Sequence, residues 1–135
     1  MKRTISLFAA LLAALCACSV DTSVADQAVP TFHSELDAAQ FAEIYDASAD
    51  DMKRVSSEKD FVALLQAVHR KLGTSRSSEK QSWNVNYHTS GTFVTLTYKT
   101  TYERGDAMEQ FVFHIQGKSA LLAGYHINSN ALVLN

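Results

Sequence analysis

The chain has 135 residues, of which 47% are hydrophobic and 19% are charged, a balance that excludes wholesale disorder and predicts one globular domain. Its two cysteines, Cys16 and Cys18, lie two residues apart, which excludes a scaffold held by several disulfides. The first eighteen residues hold two basic groups and no acid, so the remainder has ten basic and fourteen acidic groups, a net charge of −4. This acidity argues against nucleic-acid binding.

The N-terminal segment has the pattern of an export signal. Lys2 and Arg3 supply positive charge, and residues 5–15 are apolar except for Ser6. A membrane-spanning helix needs about 20 apolar residues, so this segment is too short to span comfortably. We therefore predict a signal peptide at residues 1–17.

The end of this signal resembles the lipobox of bacterial lipoproteins, in Leu15-Cys16-Ala17-Cys18. The resemblance implies that Cys18 becomes the acylated first residue and anchors the protein to a membrane. Cys16 departs from the pattern, which prefers Ala or Ser there. Ser19 resembles the outer-membrane sorting signal of enteric bacteria, which implies an envelope protein facing the periplasm. The alternative is a soluble secreted protein cut nearby.

A flexible tether is predicted at residues 18–33, and a single domain at residues 34–135. The tether would carry the lipidated Cys18 and mixes small, polar and acidic residues with the only proline, Pro30. Cysteine usage agrees with export, because no thiol follows Cys18.

The domain is predicted to open with helices. Ser34 and Asp37 resemble a helix start, and a helical pattern follows that breaks near residues 48–51. A clearer helix begins at Ser57 and ends at Gly73. Its apolar positions form one continuous stripe, made by Phe61, Leu64, Leu65, Val68 and Leu72.

Beyond residue 78 the hydrophobic period changes from 3.6 to 2, which predicts strands. The first predicted strand contains Trp83, Val85 and Tyr87. The other three are predicted at residues 92–102, 111–115 and 121–127, and short turns separate them. Four strands joined this way form an antiparallel meander. The predicted class is α+β, with two or three N-terminal helices packed on a four-stranded antiparallel sheet.

Residues 91–98 and 123–127, with this order of elements, resemble a family of small exported bacterial proteins. That family carries a domain of unknown function with a cystatin-like, or nuclear-transport-factor-like, fold. The likeness covers roughly residues 35–130. It departs at residues 120–122, where the family usually places a tryptophan. The resemblance implies a fold and an exported location but no reaction.

The sequence predicts neither a metal site nor a cofactor, and we assign no catalytic residue. No two histidines are spaced i, i+4 on a helix or form His-x-His on a strand. His114 and His126 would share a face if the last turn had three residues, and would lie on opposite faces if it had two. Nucleophile motifs such as Gly-x-Ser-x-Gly are missing from the sequence.

Aromatic residues are concentrated in the predicted sheet, and most of them are expected to pack in the core. The candidate binding surface consists of Trp83, Tyr87, Tyr98 and His126. We favour a non-catalytic, membrane-anchored periplasmic lipoprotein that binds or inhibits an envelope protein or binds a small ligand. A small pocket enzyme, isomerase-like or hydrolase-like and using Tyr or His, is the alternative. Such an enzyme should bury a histidine or aspartate with tyrosine inside the sheet, whereas a binding module should expose an apolar patch.

Overall fold

The computed structural model describes residues 21–134. Four helices precede four strands and a short final helix: α1 (Ser23–Asp37), α2 (Phe41–Asp46), α3 (Asp50–Val55), α4 (Glu58–Leu72), β1 (Ser75–His88), β2 (Gly91–Tyr102), β3 (Gly105–Gln116), β4 (Ser119–Asn128) and α5 (Asn130–Leu134). The strands form one antiparallel sheet in the order β1-β2-β3-β4. The predicted α+β class and four-stranded meander are confirmed. The predicted signal peptide and Cys18 lie outside the described residues.

Helix α1 corrects the prediction of a tether. Residues 18–33 were expected to be flexible, but residues 23–33 are helical and the helix continues to Asp37. The buried side chains of α1 fall at helical spacing and join the core: Ala25, Val29, Phe32 and Leu36. Pro30 cannot donate the backbone hydrogen bond to Asp26 that a helix would make there. Burial on both sides of Pro30 outweighs that loss, so the helix runs through it.

Helices α2 and α3 are separated at residues 47–49, as the predicted break requires. The N–H of Ala49 donates to the carbonyl oxygen of Leu122 at 2.9 Å, which holds this break against the outer edge of β4. The edge opposite β1 is therefore partly covered by helical structure.

Helix α4 matches its prediction. Its N-cap Ser57 accepts a hydrogen bond from the N–H of Asp60, and Gly73 ends it at a φ of 78°. All but one of the predicted stripe residues are buried; the exception is Leu64, which is 38% exposed. The buried stripe of α4 is thus narrower than the apolar stripe predicted from the sequence.

The sheet is longer than predicted at both its first and third strands. β1 begins at Ser75 and β3 at Gly105. The first halves of both strands lack the alternation of large apolar residues on which the prediction rested. They form strands because they pair with β2. Helix α5 was not predicted. Among the helices of residues 21–134, none has both the length and the apolar character needed to cross a bilayer.

The corrected boundary can be tested at Phe32, which lies inside the predicted tether but is only 4% exposed. Phe32→Ala should lower the free energy of unfolding by about 3–5 kcal/mol, the usual cost of removing a core aromatic ring. The control is Val55→Ala, because Val55 is 79% exposed and its truncation should cost less than about 0.5 kcal/mol. Urea denaturation measures both, and equal effects would contradict the docked helix.

Candidate functional site

Strand β1 forms one edge of the sheet, and no other strand of residues 21–134 pairs with its outer side. Side chains 76–84 are all exposed. Its pairing with β2 shifts between Ser75 and Ser77 and again between Lys80 and Ser82, and runs regularly from Ser82 to His88. Residues 82–88 therefore make a regular edge segment whose outward backbone groups have no partner in the described sheet.

Trp83 and Tyr87 lie on this segment and share a face. Trp83 pairs with Leu96, a fully buried residue on the side that the helices cover, and Tyr87 is four positions further on the same face. Yet Trp83 is 62% and Tyr87 is 66% exposed, because the helical layer does not cover this part of β1. Val85 lies between them, half-buried against the core. Trp83 and Tyr87, with the half-buried Val85 between them, form an aromatic patch whose two rings are exposed.

The other two residues predicted for this surface lie elsewhere. Tyr98 faces the same side but is buried, and its hydroxyl donates to Asp26 Oδ1 at 3.1 Å. Burial and the Asp26 carboxylate together raise the pKa of Tyr98 to about 12. His126 is exposed on the opposite face, where it pairs with Gln110. The predicted surface is thus reduced to its two β1 members.

The last hairpin answers the question left open about His114 and His126. Its connection has two residues, Gly117 and Lys118, which alone would put the two histidines on opposite faces. The register shifts between Val112 and Phe113, however, and this bulge returns both histidines to the outer face. His126 of β4 pairs with Gln110, which lies four positions before His114 on β3. The two histidines are therefore too far apart to share a ligand.

Beneath the helices lies a buried polar cluster that the sequence analysis did not identify. At its centre is Glu109 of β3, whose side chain is fully buried. Its Oε2 accepts hydrogen bonds from His33 Nε2 of α1 at 2.7 Å and Thr100 Oγ1 of β2 at 2.6 Å. Its Oε1 accepts from the hydroxyls of Tyr102 and Tyr125, each at 2.6 Å. One carboxylate therefore joins one helix and three strands.

The four donors hold Glu109 in its ionised form. Burial raises the pKa of Glu109, but the hydrogen bond and charge of His33, together with the hydroxyl donors, outweigh burial and leave that pKa below its ordinary value. Burial, and then the charge of the same carboxylate, raise the pKa of Tyr102 and of Tyr125 far above the ordinary value, so both phenols keep their protons as donors.

A cavity of about 610 Å³ between α1 and β1 reaches the edge of this cluster. His33 and Ser78 line it, with Ser78 Oγ 3.4 Å from His33 Nδ1 and 2.8 Å from Thr100 Oγ1. Ser78, His33 and Glu109 thus stand in the order hydroxyl, imidazole, carboxylate. The carboxylates of Asp26 and Asp37 also line the cavity, together with the apolar side chains of Val29 and Pro30.

A second histidine–carboxylate pair holds α3 against the outer face. Asp51 Oδ2 lies 2.7 Å from His114 Nδ1, and this hydrogen bond lowers the pKa of Asp51. His114 also stacks on Phe93, with ring centroids 4.4 Å apart. In residues 21–134 no three His, Cys, Asp or Glu side chains are grouped to hold a metal ion.

Together these elements define an α+β domain with an open four-stranded antiparallel sheet, N-terminal helices packed against it and an uncovered edge strand. The chain belongs to the family described as protein of unknown function (DUF4019), whose family model matches residues 28–125. The match starts inside α1, in agreement with the helix replacing the predicted tether, and includes every residue that bonds to Glu109. No curated protein matches the chain.

The pH dependence of stability tests the role of Glu109. Because its pKa is lowered on folding, its stabilisation is complete above the ordinary value of about 4.5 and is lost as the pH falls through the folded-state pKa. Glu109→Gln should therefore cost about 3–5 kcal/mol at pH 7, with the difference from the parent protein shrinking below pH 4.5.

Denaturant unfolding from pH 7 to pH 3 measures this difference. The matched control is Glu79→Gln on β1, an exposed glutamate whose replacement should change stability by less than about 0.5 kcal/mol. A Glu109→Gln difference that stays constant over the whole pH range would show that the carboxylate is not the stabilising form.

Proposed function

We propose that this protein is a non-catalytic, membrane-anchored binding module whose strand β1 receives an extended segment of another envelope protein. The partner is an envelope component, or a secreted hydrolase or toxin that the module inhibits. The single observation that carries this proposal is the regular edge segment 82–88 with Trp83 and Tyr87 exposed beside it. An added strand would satisfy the outward backbone groups, and its side chains would pack against the aromatic patch.

The composition of the edge segment supports strand addition. Proteins protect exposed edges with charges, prolines or bulges, and the first half of β1 has two register shifts and Lys80. Residues 82–88 contain no Asp, Glu, Lys, Arg or Pro and no shift. An unprotected edge of this kind is an aggregation hazard for a free protein, and a regular partner would remove it. Tyrosine and tryptophan are also the residues most enriched at binding hot spots.

The membrane anchor is the lipid at Cys18 implied by the lipobox. We propose export to the periplasm, removal of residues 1–17, acylation of Cys18 and residence at the outer membrane. The lack of any thiol after Cys18 supports this proposal. Intact-mass measurement of the mature protein tests it, with an acylated Cys18 as the first residue expected. An unprocessed chain without acyl groups would contradict it.

We further infer that the fold is of the cystatin-like, or nuclear-transport-factor-like, kind. An N-terminal helix lying over one face of a four-stranded antiparallel meander supports this inference. The finer assignment carries no function by itself, because folds of this kind host many unrelated activities.

The binding proposal predicts that Trp83→Ala with Tyr87→Ala weakens binding of a captured envelope partner by about 100-fold, since each aromatic anchor contributes 1–2 kcal/mol or more. The matched control is Asn84→Ala with Asn86→Ala, two changes on the opposite face of the same strand, which should alter affinity less than about threefold. Titration calorimetry with the identified partner measures both.

Hydrogen exchange of the complex tests strand addition directly. The amides of residues 82–88 should gain protection when the partner binds, because an added strand pairs with them. Equal affinity of both double variants, or new protection confined to another surface, would contradict this binding site.

The buried cluster favours a second candidate, a small hydrolase in which Ser78 is the nucleophile, His33 its base and Glu109 the orienting carboxylate. Histidine is indeed buried with tyrosines inside the sheet, the arrangement expected for the enzyme alternative. Ser78 Oγ, however, is nearer to Thr100 Oγ1 than to the imidazole, at 2.8 Å against 3.4 Å. The base therefore holds the hydroxyl only weakly, and we prefer the binding role.

A fluorophosphonate reagent distinguishes the two candidates, because it phosphonylates only activated serines. We expect Ser78 to react no faster than Ser77, which also lines the cavity. Mass spectrometry of the treated protein locates any adduct. Labelling that is lost in Ser78→Ala but retained in Ser77→Ala would establish the hydrolase and overturn the non-catalytic proposal.

A further inference from the structure

We infer that one end of the domain, the end with the two outer hairpin turns, lies against the lipid headgroups. This inference rests on the proposed anchor at Cys18 and adds to it the surface that meets the membrane. The turn end is defined by Asp21, by residues 89–91 of the β1–β2 turn and by residues 117–118 of the β3–β4 turn.

The short distance along the chain restricts the domain. Three residue steps separate Cys18 from Asp21, and an extended chain spans at most about 3.6 Å per residue, so Asp21 lies within about 11 Å of the lipidated residue. Had residues 18–33 been a tether, the domain would have been free to rotate at a distance. The helical α1, which begins at Ser23, shortens the link between Cys18 and the domain to a few residues.

Asp21 lies beside the β3–β4 turn. Asp21 and Val24 line a groove of about 270 Å³ together with Ile115, Gly117 and Lys118. The anchor therefore enters at this end of the sheet and not at the end that carries the β2–β3 turn.

The two outer turns lie together. In an antiparallel meander the first and third turns are at the same end of the sheet. His114 is stacked on Phe93 near the β3–β4 turn and lies directly over Gly91 in the β1–β2 turn. A Cβ on Gly91 would come within 2.3 Å of His114 Nε2, so glycine permits this close approach. The turns consequently form one continuous end surface.

The chemistry of this end suits a lipid surface. Thr89, Ser90 and Gly91 are uncharged, Lys118 is exposed, and the exposed ring of Tyr87 lies just before the turn. Tyrosine and lysine are favoured at the membrane–water interface. Asp21 offsets the charge of Lys118, and Asp51 of α3, which bonds to His114 at this end, is paired with Arg54 at 2.7 Å. Contact should therefore follow from the anchor and not from attraction to anionic lipid.

The opposite end differs in charge. Its β2–β3 turn carries Glu103 and Arg104, and Asp106 follows at the start of β3, so this is a charged surface that is better placed in water. Strand β1 ends at the membrane side at His88, so the edge segment 82–88 lies in the half of the domain nearest the lipid. The partner strand of the proposed function would then be received close to the membrane.

Paramagnetic line broadening tests the orientation. The probe is the chain from Cys18 to Asn135, which contains all the described residues and a single thiol, coupled through Cys18 to a maleimide phospholipid in a phosphatidylcholine nanodisc. A gadolinium chelate on a headgroup lipid broadens nearby amides. The 12 residues of β2 separate the two ends by roughly 35–40 Å, so we expect broadening about tenfold or more larger at Ser90 and Lys118 than at Arg104.

The matched control moves the attachment. Coupling the Cys18→Ser, Lys99→Cys variant through its new thiol should reverse the pattern, since Lys99 is exposed and lies toward the β2–β3 turn. Equal or stronger broadening at Arg104 in the Cys18-linked protein would overturn the inference. Because coupling is chemical, this result is independent of natural acylation, which the intact-mass measurement decides separately.

Discussion

The carboxylate of Glu109 holds one helix and three strands of this structure together. It lies on β3 and accepts hydrogen bonds from α1, β2 and β4. A buried carboxylate is costly unless donors replace the lost water, and four donors do so here. Removing one donor would leave part of the buried carboxylate without a hydrogen-bond partner. This penalty is larger than the loss of the bond itself. The cluster is therefore satisfied as a unit, and it fixes where α1 lies.

The position of α1 in turn determines what the sheet leaves exposed. His33 draws the helix over β2, β3 and β4, and Phe32 packs on Phe111 and Tyr125 next to it. The far half of β1 receives no comparable cover, so Trp83 and Tyr87 keep most of their surface in water. A structural requirement in the core thus leaves an uncovered edge, and the proposed binding surface is a consequence of how the helix is held.

Local patterns predicted the elements that depend on local periodicity. Helix α4 has a cap, a stripe and a terminal glycine, and the strands alternate apolar and polar residues, so both were found from the sequence. Helix α1 was missed because its buried stripe includes the small Ala25 and because the small, polar and acidic residues around Pro30 hide the helical period. The β3–β4 bulge was missed as well, since nothing in the residues near Val112 marks a shift of register.

Local sequence patterns could not reveal the buried cluster around Glu109, for a different reason. Glu109 occupies a position of β3 that alternates with the exposed residues and continues the buried series Ala107, Phe111 and Phe113. A charge at a core position was the available signal. Identifying its partners required knowing that α1 crosses the sheet, and that contact spans 76 residues. Of the four residues of the predicted surface, Trp83 and Tyr87 lie on one face because they belong to one strand, whereas the positions of Tyr98 and His126 depended on helix placement and register.

The same separation of 76 residues sets an order of assembly. Helix α1 is synthesised first, but the carboxylate that receives His33 appears only when β3 has been made, and Tyr125 only with β4. Short isolated helices are marginal in water, and closing so long a loop is slow. The N-terminal helix is therefore expected to be the last major element to dock, after the hairpins have formed.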